Sequence, residues 1–468
     1  MRRSIGLPAG TLLAFCGDDF TGSSAVMEVM TFAGLPAVMF VEIPTAEQLS
    51  RFSGYRAIGV ASIARAQSPN WMDVHLPAAF QALAQLKAPV SHYKVCSTLD
   101  SSPTIGSIGR AIDIGVPIFS ETPGSANWQP LVVAAPAIGR YQAFGNLFAA
   151  HDGSVHRLDR HPVMQRHPVT PMDEADVRLH LAGQTRRAIG LIDFVAMKRG
   201  AGLELLKAEL RLGRSIISLD VVDDETLQWA GGLIWNSRGQ GIFAIGSQGV
   251  EYALVAHWRA TGMLQAAADC KPAAERLQIV GVSGSISAVT AAQIKWAEAN
   301  GFEFIALAAE ASLDERLWEA EVDAARLSAC ASLSRGRSPI VATARGPADP
   351  AVAKFREQLS SSGLDPVIVN ARIGDGLGKI VRRLVHSGGV KRGAVSGGDS
   401  SGFAMRALGG YALEAIAPIA PGVPLCRVFS ADAGMDGFEI ALKGGQMGQV
   451  DFFGSVRAGH AATHGGTS

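Results

Sequence analysis

Two adjacent carboxylates, Asp18 and Asp19, sit in the run Cys16-Gly17-Asp18-Asp19-Phe20-Thr21-Gly22-Ser23-Ser24, with glycine on either side. Neighbouring carboxylates repel, so one keeps its proton longer, or the pair holds a cation or a substrate hydroxyl. A turn with a capping Asp and a capping Ser has the same composition. Arg65, in Ser62-Ile63-Ala64-Arg65, offers a planar fork that suits a carboxylate, either a substrate's or that of a nearby Asp. The run Lys94-Val95-Cys96-Ser97-Thr98-Leu99-Asp100-Ser101-Ser102 is dense in hydroxyls. It can hydrogen-bond a polyhydroxylated ligand from several directions, with Lys94 placed for an anionic group. The same hydroxyls serve an ST-turn and a helix N-cap at Ser102 equally well.

A second kind of chemistry is written in glycine and serine. Phe243-Ala244-Ile245 runs into Gly246-Ser247-Gln248-Gly249, residues 277–282 into Ser283-Gly284-Ser285, and residues 393–395 into Ser396-Gly397-Gly398-Asp399-Ser400-Ser401-Gly402. Each reads as a strand, a loop and a helix, all three in the second lobe. Unpaired amides at a helix N-terminus hold an anion such as a phosphate, glycine lets the backbone approach it, and serine adds donors. No G-x-x-x-x-G-K-[ST] is present, and no G-x-G-x-x-G opens a βαβ unit, which argues against a P-loop and against a dinucleotide-linked dehydrogenase.

His151, His156, His161 and His167 cluster beside Asp152, Asp159 and Asp173, but their spacing fits no common ligand template, and no protein-held metal is expected. The stretch is expected to be a loop that folds over a substrate. Asp220, Asp223 and Asp224 read as solvated loop acids and are left out of the site.

The elements that must position these groups follow from apolar periodicity. Residues 11–16, 37–41, 57–61 and 91–95 are short apolar or strand-like runs separated by helical patterns over 25–33, 45–52 and 69–86. That rhythm predicts parallel strands, with Asp18, Asp19, Arg65 and the 94–102 segment on one carboxyl rim. Further strands are expected over 189–194 and 215–220, and helices over 204–211, 250–258, 288–299 and 403–408. The fold class expected is α/β, with two α/β lobes, mainly parallel sheets and the active site in the cleft between the lobes. Residues 1–265 would form one domain and 266–468 the other.

Composition narrows the partners. A chain of 468 residues exceeds one typical core, and 48% apolar with 18% charged residues suits a well-buried enzyme. Forty-two basic residues balance 42 acidic ones, so nothing draws the chain to nucleic acid or an anionic membrane. No run approaches the roughly 18 apolar residues of a membrane helix. The five cysteines are scattered without C-x-x-C spacing, which points to reduced thiols in the cytoplasm. The first apolar run, about six residues cut off by Asp18-Asp19, reads as a strand rather than a signal peptide. Residues after Ser455 read as a loose tail, and a homo-oligomer is left open.

Taken together, Gly17-Asp18-Asp19-Phe20-Thr21-Gly22, Tyr93-Lys94-Val95-Cys96-Ser97-Thr98-Leu99-Asp100-Ser101-Ser102 and His167-Pro168-Val169-Thr170-Pro171-Met172-Asp173 resemble the four-carbon acid sugar kinase family. The likeness continues through Gly139-Arg140-Tyr141, the Ser283 and Gly397 loops, and Lys443-Gly444-Gly445-Gln446-Met447-Gly448 before Phe452-Phe453, nearly the whole chain. Gly444, Gln446 and Met447 depart from the Lys-Ser-Gly-Asn-Phe-Gly of many relatives, and Leu99 stands where Phe is usual. The resemblance implies ATP-dependent phosphorylation of a small sugar acid, with an N-terminal substrate domain and a C-terminal nucleotide domain. It implies that Asp18, Asp19, Arg65, Lys94, Val95, Cys96 and Ser97 face the sugar acid, one of the two aspartates acting as base. It also implies that Ser283, Gly284, Ser285, Gly397, Gly398, Asp399, Ser400 and Gly445 hold ATP, with Mg2+ carried by the nucleotide. The branch with this extended Ser-Ser-Pro-x-Ile-Gly-Ser-Ile-Gly segment suggests 3-oxo-isoapionate first, then 3-oxo-tetronate, threonate or erythronate. Two rival readings are a Mg-dependent sugar-acid aldolase or dehydratase and an ATP-gated sugar-acid sensing module; ADP release separates them from a kinase.

Overall fold

Leu13–Gly17 forms β1 with every residue buried, as a strand covered on both faces requires. The computed structural model describes residues 6–167, 169–266 and 270–461; Pro168 of the His-Pro motif and the side chains of Asp399 and Ser400 lie outside the described residues. Its contacts divide the chain into two units, Met1–Val38 with Ile43–Ala268, and Met39–Glu42 with Asp269–Ser468.

In the first unit β1 is followed by β2 (Ala37–Phe40, whose last two residues count with the second unit), β3 (Ala57–Ala61), β4 (Val90–Lys94), β5 (Gln129–Val132), β6 (Arg140–Ala143), β7 (Asn146–His151), β8 (Ser154–Arg157), β9 (Ile189–Ile192), β10 (Ile216–Leu219) and β11 (Ile242–Gly246). The main sheet runs β2-β3-β1-β4-β11-β5-β10-β9. Parallel register sets Gly17 opposite both Ala61 and Lys94, Lys94 opposite Gly246, and Gly246 opposite Val132. Five connections therefore leave the sheet at one level, which is what brings residues distant in sequence onto one rim. Beneath it Phe80 packs against Tyr93, Phe119 and Phe243. Gly59 leaves room for the Phe15 ring, which a Cβ there would approach to 2.1 Å.

Three expectations are corrected here. The histidine-rich stretch opens as an antiparallel sheet, β6-β7-β8, rather than a loop. Its second hairpin turns at Asp152-Gly153, both at positive φ (46° and 74°), the backbone that an Asp-Gly pair favours. Asp220 is fully buried rather than a solvated acid, and accepts from Gln142 Nε2, Phe144 N and Gly145 N at the base of that sheet. The strand before Gly246-Ser247 is β11 of the first unit, so the three glycine-serine loops do not share a unit.

The second unit holds β12 (Val280–Ser283), β13 (Phe302–Ala306), β14 (Ser338–Ala342), β15 (Arg392–Ser396), β16 (Gly410–Ala420), β17 (Val423–Ser430) and β18 (Glu439–Lys443). Their order is β13-β14-β12-β15-β18-β17-β16, parallel as far as β18 and antiparallel beyond it. Ser283 pairs with Ala342 and Ser396, and Ser396 with Lys443, giving a second carboxyl rim. Of the residues after Ser455, expected as a loose tail, 456–458 complete a helix instead, and 462–468 lie outside the described residues. Phe452–Ala458 is a helix whose Phe452, Phe453 and Val456 enter the core with Phe302 and Ile340.

Candidate active site

At the first rim the chain turns immediately after β1. Gly17 is required there, because a Cβ would lie 1.8 Å from Ser23 Oγ. Asp19 is the N-cap of helix Phe20–Phe32 and accepts from Gly22 N at 2.9 Å and from Thr21 Oγ1 at 2.7 Å, so the capping role is real. It does not exhaust the carboxylate. Arg65 donates from Nη2 to Asp18 Oδ1 and Asp19 Oδ1, each at 2.7 Å, and from Nε to Asp18 Oδ2 at 3.2 Å. Backbone bonds lock the same corner: Asp18 N donates to Lys94 O, and Arg65 N to Asp18 O. A Cβ on Gly22 would meet Asp19 Oδ1 at 2.2 Å, Lys94 Nζ at 2.8 Å and Arg65 Nη2 at 3.4 Å, so these three groups converge on the bare backbone of one glycine.

The two carboxylates differ. Asp18 is 2% exposed and Asp19 is 19% exposed. Burial pushes the Asp18 carboxyl up against the pull of Arg65, and the charge of Asp19 adds to the rise. Burial acts on Asp19 as well, but Arg65, Lys94 and the bonds from Thr21 and Gly22 outweigh it and hold Asp19 low. The outcome is one solvent-reaching carboxylate kept ionised beside a buried partner. Lys94 is buried and donates to Val95 O at 2.9 Å. The Val95 side chain is fully buried, whereas Cys96 and Ser97 are half-buried. Cys96 Sγ lies 3.0 Å from Thr98 Oγ1, and burial, then Asp100, raise its thiol. Ser102 makes the ST-turn, accepting from Thr104 N and Ile105 N, but the next helix is capped by Ser107.

At the second rim Ser283, Gly284, Ser285, Gly397, Gly398 and Gly445 come together. Gly284 N donates to Ser396 O and Gly397 N to Lys443 O, tying the three segments edge to edge. Ser287 caps helix Ala288–Ala299 through Thr290 N and donates its hydroxyl to Gly445 O. A Cβ on Gly445 would stand 2.7 Å from Ser285 Oγ. Gly397 has φ 132°, a conformation that only glycine takes readily. The helix begins at Gly398 instead of Phe403, so the glycine-serine run is largely its first turn, with amides that no helical carbonyl reaches. A Cβ on Gly398 meets nothing within 4 Å: the backbone faces open space. These features fit a polyphosphate held by backbone amides.

Lys443, which closes β18, was not singled out by the sequence. It is fully buried, and its Nζ donates to Thr290 Oγ1 at 3.1 Å and Gly444 O at 3.3 Å with no carboxylate among the described residues paired to it. Burial lowers the ammonium to about 7. One lysine before a glycine pair carries little pattern; its meaning appears only when β15 and β18 lie side by side. Among the described residues no group of three or more His, Cys, Asp or Glu is arranged to hold a metal ion, and no helix is long and apolar enough to cross a membrane.

Family models divide the chain in the same sense as the two rims. One described as a sugar-binding N-terminal domain matches residues 13–254, and one described as a nucleotide-binding C-terminal domain matches residues 280–453. A 3-oxo-isoapionate kinase of Paraburkholderia graminis is 50% identical over 97% of this chain and 96% of its own length. A 3-oxo-tetronate kinase of Pseudomonas fluorescens is 30% identical over 94% and 95%. A crystal structure of a Haemophilus influenzae protein has the same fold, with a TM-score of 0.69 at 22% identity, covering 95% of this chain and 99% of that one. Half of all positions shared from end to end with one kinase, and a match to the sugar-binding and nucleotide-binding models in turn, leave one conclusion: the chain belongs to the four-carbon acid sugar kinase family and is an ATP-dependent sugar-acid kinase.

Proposed function

We propose that this kinase phosphorylates a hydroxyl of 3-oxo-isoapionate, with 3-oxo-tetronate, threonate and erythronate as poorer acceptors. The observation that carries the choice is the gap between 50% identity to a 3-oxo-isoapionate kinase and 30% to a 3-oxo-tetronate kinase. In this reading residues 1–265 take the sugar acid and residues 266–468 take ATP, and in-line chemistry demands that the γ-phosphate be presented to the acceptor hydroxyl.

Asp19 is the base: its carboxylate reaches solvent, stays ionised, and is held in one orientation by Thr21, Gly22 and Arg65. Asp18 and Arg65 form its buried support. Lys94, Val95, Cys96 and Ser97 line the acceptor side. On the nucleotide side Ser283, Gly284, Ser285, Gly397, Gly398, Asp399, Ser400 and Gly445 cradle the phosphates, and Lys443 neutralises their charge. Carried by the nucleotide, Mg2+ would supply further charge neutralisation on the phosphates. The adenine suits the recess lined by Ala291, Phe304, Leu307, Ala344 and Pro347, beside β13 and β14. Five free cysteines fit work in the reducing cytoplasm.

The test is ADP release with each of the four acids, with and without Mg2+, compared as kcat/KM. A linear tetronate preferred by a wide margin sinks the substrate choice. No release with any sugar acid sinks the kinase reading in favour of the sensing or lyase alternatives.

A further inference from the structure

Arg65 is the obvious cation for a substrate carboxylate, yet its fork is engaged by Asp18 and Asp19. A second arginine lies beyond the same rim without such an engagement. Arg140 opens β6, and its backbone pairs in both directions with Ala135, three residues past the end of β5. Burial lowers its guanidinium, and Cys96 and Asp100 of the segment after β4 oppose that fall. It forms no ion pair with any described carboxylate. Nη1 makes only long bonds, 3.2–3.5 Å, to the carbonyls of Ile138, Gly139 and Ala150, and Nε is buried with no partner at all.

His161 packs against the His151 ring of β7, and burial, then His151 and Arg140, lower its imidazole to about 4, so it is neutral. Its Nδ1 accepts from Val163 N and Met164 N, which fixes the remaining proton on Nε2. That N–H has no hydrogen-bond partner among the described residues, although the side chain is 5% exposed. A buried guanidinium nitrogen without a partner is costly to leave unless a ligand satisfies it, and the His161 N–H offers a second donor. The ligand they fit is a planar anion with two acceptor oxygens.

We propose that Arg140, with His161 Nε2–H beside it, receives the carboxylate of the sugar acid, while Arg65 holds the aspartate pair. This rests on the sugar-acid kinase reading. It reassigns the carboxylate site from the strand rim to the β6-β7-β8 sheet and makes that sheet the part that selects acids over neutral sugars.

The test is calorimetric binding of 3-oxo-isoapionate and its neutral carboxamide to the full chain. Wild type should prefer the acid by about 100-fold, the scale of a charge-assisted pair, and Arg140→Gln should lose that preference by weakening the acid alone, with ATP affinity unchanged. His161→Phe should lose about tenfold of it. If Arg140→Gln does not fold, Arg140→Lys carries the test: keeping the charge without the fork, it should retain a reduced preference. A folded Arg140 variant that keeps the full acid-over-amide preference overturns the proposal. Acid binding that depends on Arg140 without any ADP release would sustain the carboxylate site while sinking the kinase reading; wild type binding no sugar acid overturns both.

Discussion

The two rims solve opposite electrostatic problems. At the first, one arginine holds two carboxylates inside the protein, with Lys94 buried alongside. At the second, Lys443 is buried among hydroxyls and carbonyls with no described carboxylate opposite it, on a rim where the Gly398 backbone faces open space. A buried pair is costly to break, whereas a buried unpaired cation is costly to keep and is relieved by an incoming anion. On the proposed reading the first rim holds its reacting group in place before substrate arrives. The second is complete only with its ligand, and nucleotide should stabilise that unit more than sugar acid stabilises the other.

Breaking the first rim should have the largest effect. Arg65→Met leaves Asp18 and Asp19 facing each other, and loss of one partner of such a pair costs about 3 kcal/mol or more. Thermal unfolding should show that loss shrinking as pH falls toward about 4, where the stranded carboxyls can take up protons. A variant as stable as wild type would mean the arginine is not what holds the pair. Asp19→Asn keeps the cap and the shape but removes the proton acceptor, so turnover should fall by roughly a hundredfold or more while ATP still binds. Asp18→Asn should act chiefly through stability and the placing of Arg65. Equal and near-normal turnover in both variants would remove the base from this loop.

At the second rim the effects should be smaller and confined to nucleotide. Gly398→Val places a branched side chain where the backbone meets the phosphates. It should weaken ATP by about tenfold or more without touching sugar-acid binding, since the space it enters is open in the free protein. Lys443→Met should weaken ATP by a similar factor, about the worth of one charge-assisted bond, yet leave the nucleotide-free protein as stable or more stable. Were Lys443→Met instead strongly destabilising, with ATP affinity intact, the lysine would be a structural prop.

Much of this contrast was legible because both rims sit at the ends of buried strands. Continuous apolar runs such as Leu13–Gly17 announce parallel strands, and glycine, serine and aspartate just beyond them mark the loops. What escaped was whatever depends on contacts across the sheet. Gly398 begins a helix because β15 delivers the chain there in a helical first turn, while the composition of residues 396–402 reads as loop. The Asp152-Gly153 pair carries a hairpin signal, but the histidine, arginine and proline around it read equally as a metal site or a loop. Asp220 reads as a solvated acid until the β6-β7-β8 sheet turns two amides onto it. Arg140 gains its meaning only because Arg65 is taken by an aspartate 47 residues away, a fact of tertiary structure.

The smallest effect is the sharpest test of the contrast, because it follows one proton. Burial depresses the Lys443 ammonium from 10.5 to about 7, so above neutral pH the nucleotide-free protein holds it largely neutral, whereas the unfolded chain holds it charged. Between those two values the unfolded state binds more protons, so this residue's contribution to stability rises with pH across that window and is absent below it. ATP reverses the preference: a polyphosphate beside the amine favours the charged form and raises its pKa. Binding at about pH 8 should then take up a large fraction of one proton, and affinity should decline as pH rises above neutral. Calorimetry in two buffers of different ionisation enthalpy counts that proton, and Lys443→Met, compared at the same pH, subtracts whatever ATP itself contributes. Equal proton uptake by wild type and variant would show that Lys443 does not sense the phosphates, and the second rim would then hold its nucleotide by backbone amides alone.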